Sequence, residues 1–154
     1  MRSVVLAFVA LLVVAACQTL SPGITVTALA ERGAKLVPGT RLTSIFADQT
    51  VYVRFTRNFV TMKAGEEWVE YYRPDGVYYY KDRVDSFEGK WTIEGNDFCF
   101  AEDVKKYCAA VYEENGAYYF VYLSPGTYQN QVIGRTIRFA KGNVESLRNP
   151  FSFQ

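Results

Sequence analysis

The chain has 154 residues, 49% of them hydrophobic, which suits one domain built on one core. Its 17 Lys+Arg stand against 16 Asp+Glu, so it offers neither a polycation for nucleic acid nor a polyanion for basic partners. Histidine is absent, which removes the commonest general base near neutral pH and the commonest metal ligand, and without a Gly-rich phosphate loop, a Cys/His metal cluster or a haem attachment sequence no cofactor is expected.

Residues 1–16 have the form of an export signal. Arg2 supplies the positive end, and the uncharged stretch Val4–Ala16 has the length of a signal h-region, short of the ~20 apolar residues that span a bilayer. Val14, Ala15 and Ala16 before Cys17 resemble the lipobox of bacterial lipoproteins, in which the thiol takes diacylglycerol and small neighbours admit the signal peptidase. Lipidation of Cys17, with further acylation such as palmitate, then anchors the mature chain to a membrane. The same residues also suit an ordinary leader peptidase. Gln18 in place of Asp resembles the sorting pattern for the outer membrane, so the expected location is the cell envelope, facing the periplasm.

The mature chain divides into a lipidated N-terminus and tether, 17–38, and a single β-rich domain, 39–154. Ser21, Pro22 and Gly23 read as tether, and Ala28–Leu36 as a helical turn or two. Behind Pro38 and Gly39, with Thr40 as the candidate cap, Leu42, Ile45 and Phe46 fall at helical spacing and predict one short helix laid on a sheet. Eight strand-like runs follow: Val51–Thr56, Glu67–Arg73, Val77–Tyr80, Lys90–Glu94, Asp97–Phe100, Tyr107–Glu113, Ala117–Leu123 and Gln131–Phe139. Pro74-Asp75-Gly76, Gly95-Asn96 and Asn115-Gly116 supply the backbone freedom that tight hairpins need. Trp91 and Ile93 alternate with Lys90, Thr92 and Glu94, giving one buried and one wet face. The expected fold is all-β and mainly antiparallel, a small barrel-like or sandwich meander with one short N-terminal helix.

Three cysteines are an odd number, and lipid on Cys17 leaves Cys99 and Cys108 to form a disulfide across a hairpin. A redox-active pair would normally be Cys-x-x-Cys at a helix start, a different spacing and setting. Acidic residues gather at Asp82, Asp85 and Glu88, and again at Glu102, Asp103, Glu113 and Glu114. They read as solvated loop charges, and Asp82 to Glu88 lacks the alternating oxygen ligands and glycine bend of a calcium loop. The 12 tyrosines exceed what a small core satisfies, so Trp68, Tyr72, Tyr78, Tyr80, Tyr118, Tyr119 and Tyr122 are candidates for an exposed stacking platform. The alternative is that these rings pair across strands to stabilise the sheet.

The order of landmarks carries a resemblance. Leu42-Thr43, Val51-Tyr52-Val53, Tyr72–Gly76, Gly89-Lys90-Trp91, Gly95-Asn96-Asp97 with Cys99, then Cys108 and Gly142-Asn143 together resemble a family of small exported proteobacterial proteins of unassigned function. The likeness spans Thr40–Leu147, and it implies a β-domain and export while assigning no catalytic residue. The functional expectation is a non-enzymatic envelope lipoprotein that binds an envelope protein or cell-wall glycan through an aromatic face. The alternatives are an inhibitor of a secreted lysozyme or protease, plugging with 101–106 or 124–131, and a carboxylate-dependent glycan hydrolase.

Overall fold

Eight consecutive alternating runs separated by turns have a simple solution, in which each strand pairs with the next and the last returns to the first. The computed structural model, which describes residues 23–148, has this arrangement. The expected signal segment, Cys17 and the start of the tether lie outside the described residues. In chain order the elements are α1 (Val26–Glu31), β1 (Lys35–Leu36), α2 (Gly39–Phe46), β2 (Gln49–Phe55), β3 (Glu67–Tyr72), β4 (Val77–Lys81), β5 (Ser86–Glu94), β6 (Asp97–Glu102), β7 (Lys105–Glu114), β8 (Ala117–Tyr122) and β9 (Gln131–Lys141).

Strands β2 to β9 pair antiparallel in sequence order. β2 then pairs with β9, Gln49 opposite Lys141 and Phe55 opposite Gly134, so the sheet closes into an eight-stranded barrel. All eight expected strands are present, and the choice between sandwich and barrel resolves to the barrel. The short β1 was not foreseen; it pairs with β7 beyond the end of β6, Lys35 opposite Glu113.

The hairpin turns 74–76, 95–96 and 115–116 lie at one end, and the loops 56–66, 82–85, 103–104 and 123–130 lie at the other, here called the mouth. Asn115 and Gly116 adopt φ of 52° and 77°, the left-handed pair expected of a two-residue hairpin. Helix α2 seals the turn end. Its Leu42 and Phe46 are fully buried, and the Phe46 ring lies 4.8 Å from Phe98 and 5.6 Å from Tyr72 between centroids.

The capping of α2 differs from the expectation. Pro38 is the N-cap and has no side-chain bond, while Thr40 lies inside the helix. The Gly39 N–H instead donates to Asn96 Oδ1 at 2.9 Å, so the β5–β6 hairpin provides the cap. The contact requires glycine, because a Cβ at residue 39 would stand 1.8 Å from the Gly95 carbonyl oxygen.

The segment expected as a tether is part of the fold from Ile24 onward. Thr25 Oγ1 accepts from the Ala28 N–H at 3.1 Å and starts α1 two residues earlier than the sequence pattern placed it. Leu29 is buried on the outer face of the barrel against Ala110, Ala117, Tyr119, Val121 and Val132. Burial of one such leucine stabilises by ~2 kcal/mol, enough to hold a short helix that would be marginal alone.

Candidate functional site

Strand alternation sends Val51, Val53 and Phe55 of β2, Trp68, Glu70 and Tyr72 of β3, and Tyr78 and Tyr80 of β4 into the barrel. Toward α2 the interior is filled. Tyr72, Tyr78, Trp91 and Phe98 form a packed layer over Phe46, with Tyr72 and Phe98 centroids 5.2 Å apart. Toward the mouth the interior is hollow, a cavity of about 370 Å³. Eight strands are the number at which a barrel is either filled by side chains or holds one small ligand, and this barrel does one in each half.

The chamber walls are chiefly Phe55, Trp68, Tyr80, Phe100, Phe120 and Tyr122, and its rim carries Asp82, Asp85, Glu102 and Lys105. The loop 56–66 folds over one side through a bridge between Phe59 and Met62. Phe59 there packs on Tyr128 at 4.6 Å and on Tyr122 at 5.6 Å. Gly134 makes the room in which the Trp68 indole lies, since a Cβ there would stand 2.2 Å from Trp68 Cη2.

Among the described residues one carboxyl, that of Glu70, lines the chamber below its rim. Glu70 is 7% exposed, and burial raises its carboxyl from the ordinary range to about 7. The Tyr72 hydroxyl, which donates to Glu70 Oε2 at 2.5 Å, pulls in the opposite direction. Burial, and then the neighbouring carboxyl, hold the Tyr72 hydroxyl well above its usual range. Burial also pushes Tyr107 up to about 12; its hydroxyl lies 3.3 Å from that of Tyr78. Tyr80 donates to Asp82 Oδ2 at 2.5 Å near the rim. Near neutral pH, then, Glu70 sits near its titration midpoint among neutral hydroxyls. It can donate a proton, accept a hydrogen bond, or ionise beside a cation.

Of the seven aromatic residues expected on an exposed platform, six face the barrel interior, spread along its length. Trp68, Tyr72 and Tyr78 are buried in the barrel, Tyr80 and Tyr122 line the chamber, and Tyr118 packs on Phe46 and Phe139 at the α2 end. Tyr119 is on the outer face, buried under α1 with the Arg32 and Arg135 guanidinium carbons 5.7 and 5.8 Å from its ring centroid. Closure of the sheet is the reason: an aromatic face that would be a platform on an open sheet becomes the lining of a barrel. The surplus of hydroxyls is absorbed by mutual bonds and by carboxylates such as Glu70, Asp82, and Asp48, which accepts from Tyr71 at 2.9 Å.

The acidic groups are split by the length of the barrel. Asp82, Asp85, Glu102 and Asp103 lie at the mouth, whereas Glu114 at the far end binds Arg32 at 2.7 Å and accepts from the Tyr119 hydroxyl at 2.9 Å. Among the described residues no group of three or more Cys, Asp or Glu is placed to hold a metal ion. The stretch 101–106, expected as a protruding loop, is mostly ladder, with Glu102 opposite Lys105 and only Asp103-Val104 at the tip. Cys99 and Cys108 are direct cross-strand partners joined by a disulfide, S–S 2.09 Å.

Glu70 was missed by reading clusters of acids. Its signal was parity: Glu70 shares one face of β3 with Trp68 and Tyr72, both buried in the core, while Val69 and Tyr71 take the other face. Comparison of the chain with protein-family models, with curated proteins and with solved structures finds no match. The resemblance to exported proteobacterial proteins therefore rests on its landmark residues alone.

Proposed function

We propose that this protein is a membrane-anchored binding module of the bacterial envelope whose ligand occupies the interior of its barrel, in place of the exposed aromatic face expected from the sequence. The observation that carries the reading is a buried carboxyl, Glu70, opening into an aromatic-walled chamber of about 370 Å³. That volume falls at the small end of sites that enclose organic ligands. Rings present their negative faces to a cation, and a carboxylate beneath them neutralises it in a medium of low dielectric. Asp82, Asp85 and Glu102 at the rim add the same sign of potential at the entrance, opposed by Lys105. The ligand class is accordingly a small, largely apolar molecule bearing an amine or another strong hydrogen-bond donor. The disulfide and the lipobox-like residues before Cys17 support the envelope setting.

The test is calorimetric titration with three naphthyl probes of similar size: 1-naphthylmethylamine, 1-naphthylmethanol and 1-naphthoic acid. The amine should bind tightest and the acid weakest. Glu70→Gln should erase the preference for the amine over the alcohol while leaving the alcohol bound. Preference for the acid, or no heat with any of the three, would defeat the proposal.

A further inference from the structure

The rim of the chamber carries a second, independent feature. Val60, Val84 and Val104 are 74%, 53% and 99% exposed, one on each of the loops 56–66, 82–85 and 103–104. Turn tips ordinarily take Gly, Asn, Asp or Ser, which suit their backbone and their contact with water. Val60 suits neither, since it holds φ of 52°, a left-handed conformation that strains a β-branched side chain. None of the three contributes to the buried core, and only Val60 also borders the chamber. Three apolar tips on separate loops at one end of the molecule form a surface whose partner lies outside the chain.

The course of the chain indicates what that partner is. Thr25 bridges Gln131, the first residue of β9, and a Cβ on Gly23 would stand 3.0 Å from Cβ of Arg57, just past the end of β2. Both positions are at the mouth, so the N-terminal segment enters the fold beside the three valines. Six residue steps separate Gly23 from Cys17. Fully extended they reach ~20 Å at most, so an anchor at Cys17 holds the mouth, and not the α2 end, nearest the membrane.

We infer that the mouth of the barrel docks on the lipid bilayer through Val60, Val84 and Val104, so that the chamber opens onto the membrane and takes its ligand from there. The inference rests on the reading of Cys17 as the lipidated residue. Three valine side chains give weak affinity by themselves, but a tether of this length turns docking into an intramolecular event. Charges of both signs flank the tips, Arg83 and Asp85 around Val84 and Asp103 and Lys105 around Val104, so the contact is apolar and insensitive to salt.

The experiment uses the processed, full-length protein reconstituted in phosphatidylethanolamine/phosphatidylglycerol vesicles. A polarity-sensitive dye is placed at Val104→Cys, and in a separate sample at Asp75→Cys in the turn at the α2 end. Brominated lipid should quench the dye at position 104 several-fold more than the dye at 75, equally at low and high salt. Converting Val60 and Val84 to Ser should reduce the quenching at 104. Position 104 is almost fully exposed, so the label leaves the fold intact. Mass spectrometry of the N-terminal peptide from the same sample separates the outcomes. Lipid on Cys17 with equal quenching at both positions overturns the docking and leaves the anchor standing; an unmodified Cys17 overturns both.

Discussion

Glu70 and Tyr72, two residues apart on β3, both face the barrel interior, and the Tyr72 hydroxyl donates to the Glu70 carboxyl at 2.5 Å. This places an ionisable group where its charged form is poorly solvated, and the consequence is a stability that depends on pH. With the folded carboxyl raised to about 7 from 4.5, Glu70 contributes no penalty at low pH, where it is protonated in both states. As pH rises from 4.5 to 7 the unfolded chain loses its proton first, and stability falls by ~3 kcal/mol before levelling off. Glu70→Gln should remove this decline, so that the variant exceeds the wild type in urea unfolding at pH 8 and matches it at pH 4. A wild-type minus variant difference that is flat across this range would refute the assignment.

The same carboxyl predicts how ligand and proton compete. An amine in the chamber stabilises the ionised form of Glu70, so binding should release a proton below pH 7 and tighten as pH rises through that value. Titration of 1-naphthylmethylamine in buffers of different ionisation enthalpy counts that proton. The count should be near one at pH 5 and near zero at pH 8, and zero throughout in Glu70→Gln.

Much of the barrel was legible because strands with one wet face write their parity into the sequence. Trp91 and Ile93 against Lys90, Thr92 and Glu94, and the left-handed pair Asn115-Gly116, fixed a strand and a hairpin without any tertiary information. The chamber was not legible for the complementary reason. Whether Trp68 and Tyr72 form an outer platform or an inner wall depends on β2 meeting β9, a contact between residues as distant as Gln49 and Lys141 that no local pattern encodes. Gly39 and Asn96 illustrate the same limit, since the cap of α2 comes from a hairpin 57 positions away. Glu70 is a single acid at the parity of Trp68 and Tyr72, and no second acid on that face of β3 marks it as a site.

Gly134 and Trp68 set the shape of the chamber wall. A methyl group at 134 would overlap Trp68 Cη2 at 2.2 Å, and Val53 Cγ1 at 2.9 Å blocks retreat. Gly134→Ala should therefore destabilise by ~1–3 kcal/mol and displace the indole. Trp68→Phe in the same chain should recover part of the loss, because the smaller ring vacates the contact. Urea midpoints of the two single variants and the double variant measure the coupling, and strict additivity would mean that the indole does not occupy this site.

Cys99 is 1% exposed and its partner Cys108 lies directly opposite on β7. The loop closed by the bond is short, and its chain-entropy contribution is ~2.5–3 kcal/mol. Thiol reagents should find no reactive thiol at these two positions in the unreduced native protein. Cys99→Ala with Cys108→Ala should lower the urea midpoint by the corresponding amount while preserving the far-ultraviolet circular dichroism, because the β6–β7 ladder registers through five further residue pairs on its own. Loss of the fold would show that the bond is needed to form the barrel and not only to stabilise it.

Phe46 packs within 6 Å, centroid to centroid, of Tyr72, Phe98, Tyr118, Phe120 and Phe139, so that one ring of α2 joins strands from both sides of the barrel. Phe46→Ala leaves a cavity that this layer cannot close by rotation of neighbouring rings, and the cost should be ~3–5 kcal/mol. Phe46→Leu, which restores most of the volume, should cost under about half of that. Of these five rings only Phe120 also walls the chamber, and the layer of Tyr72, Tyr78, Trp91 and Phe98 lies between that space and the rest of the plug. Affinity for 1-naphthylmethylamine, measured where the variant is still folded, should therefore change by less than about twofold even as the urea midpoint falls. A large loss of affinity in Phe46→Leu would show that the two halves of the interior are one deformable space and not a floor beneath a chamber.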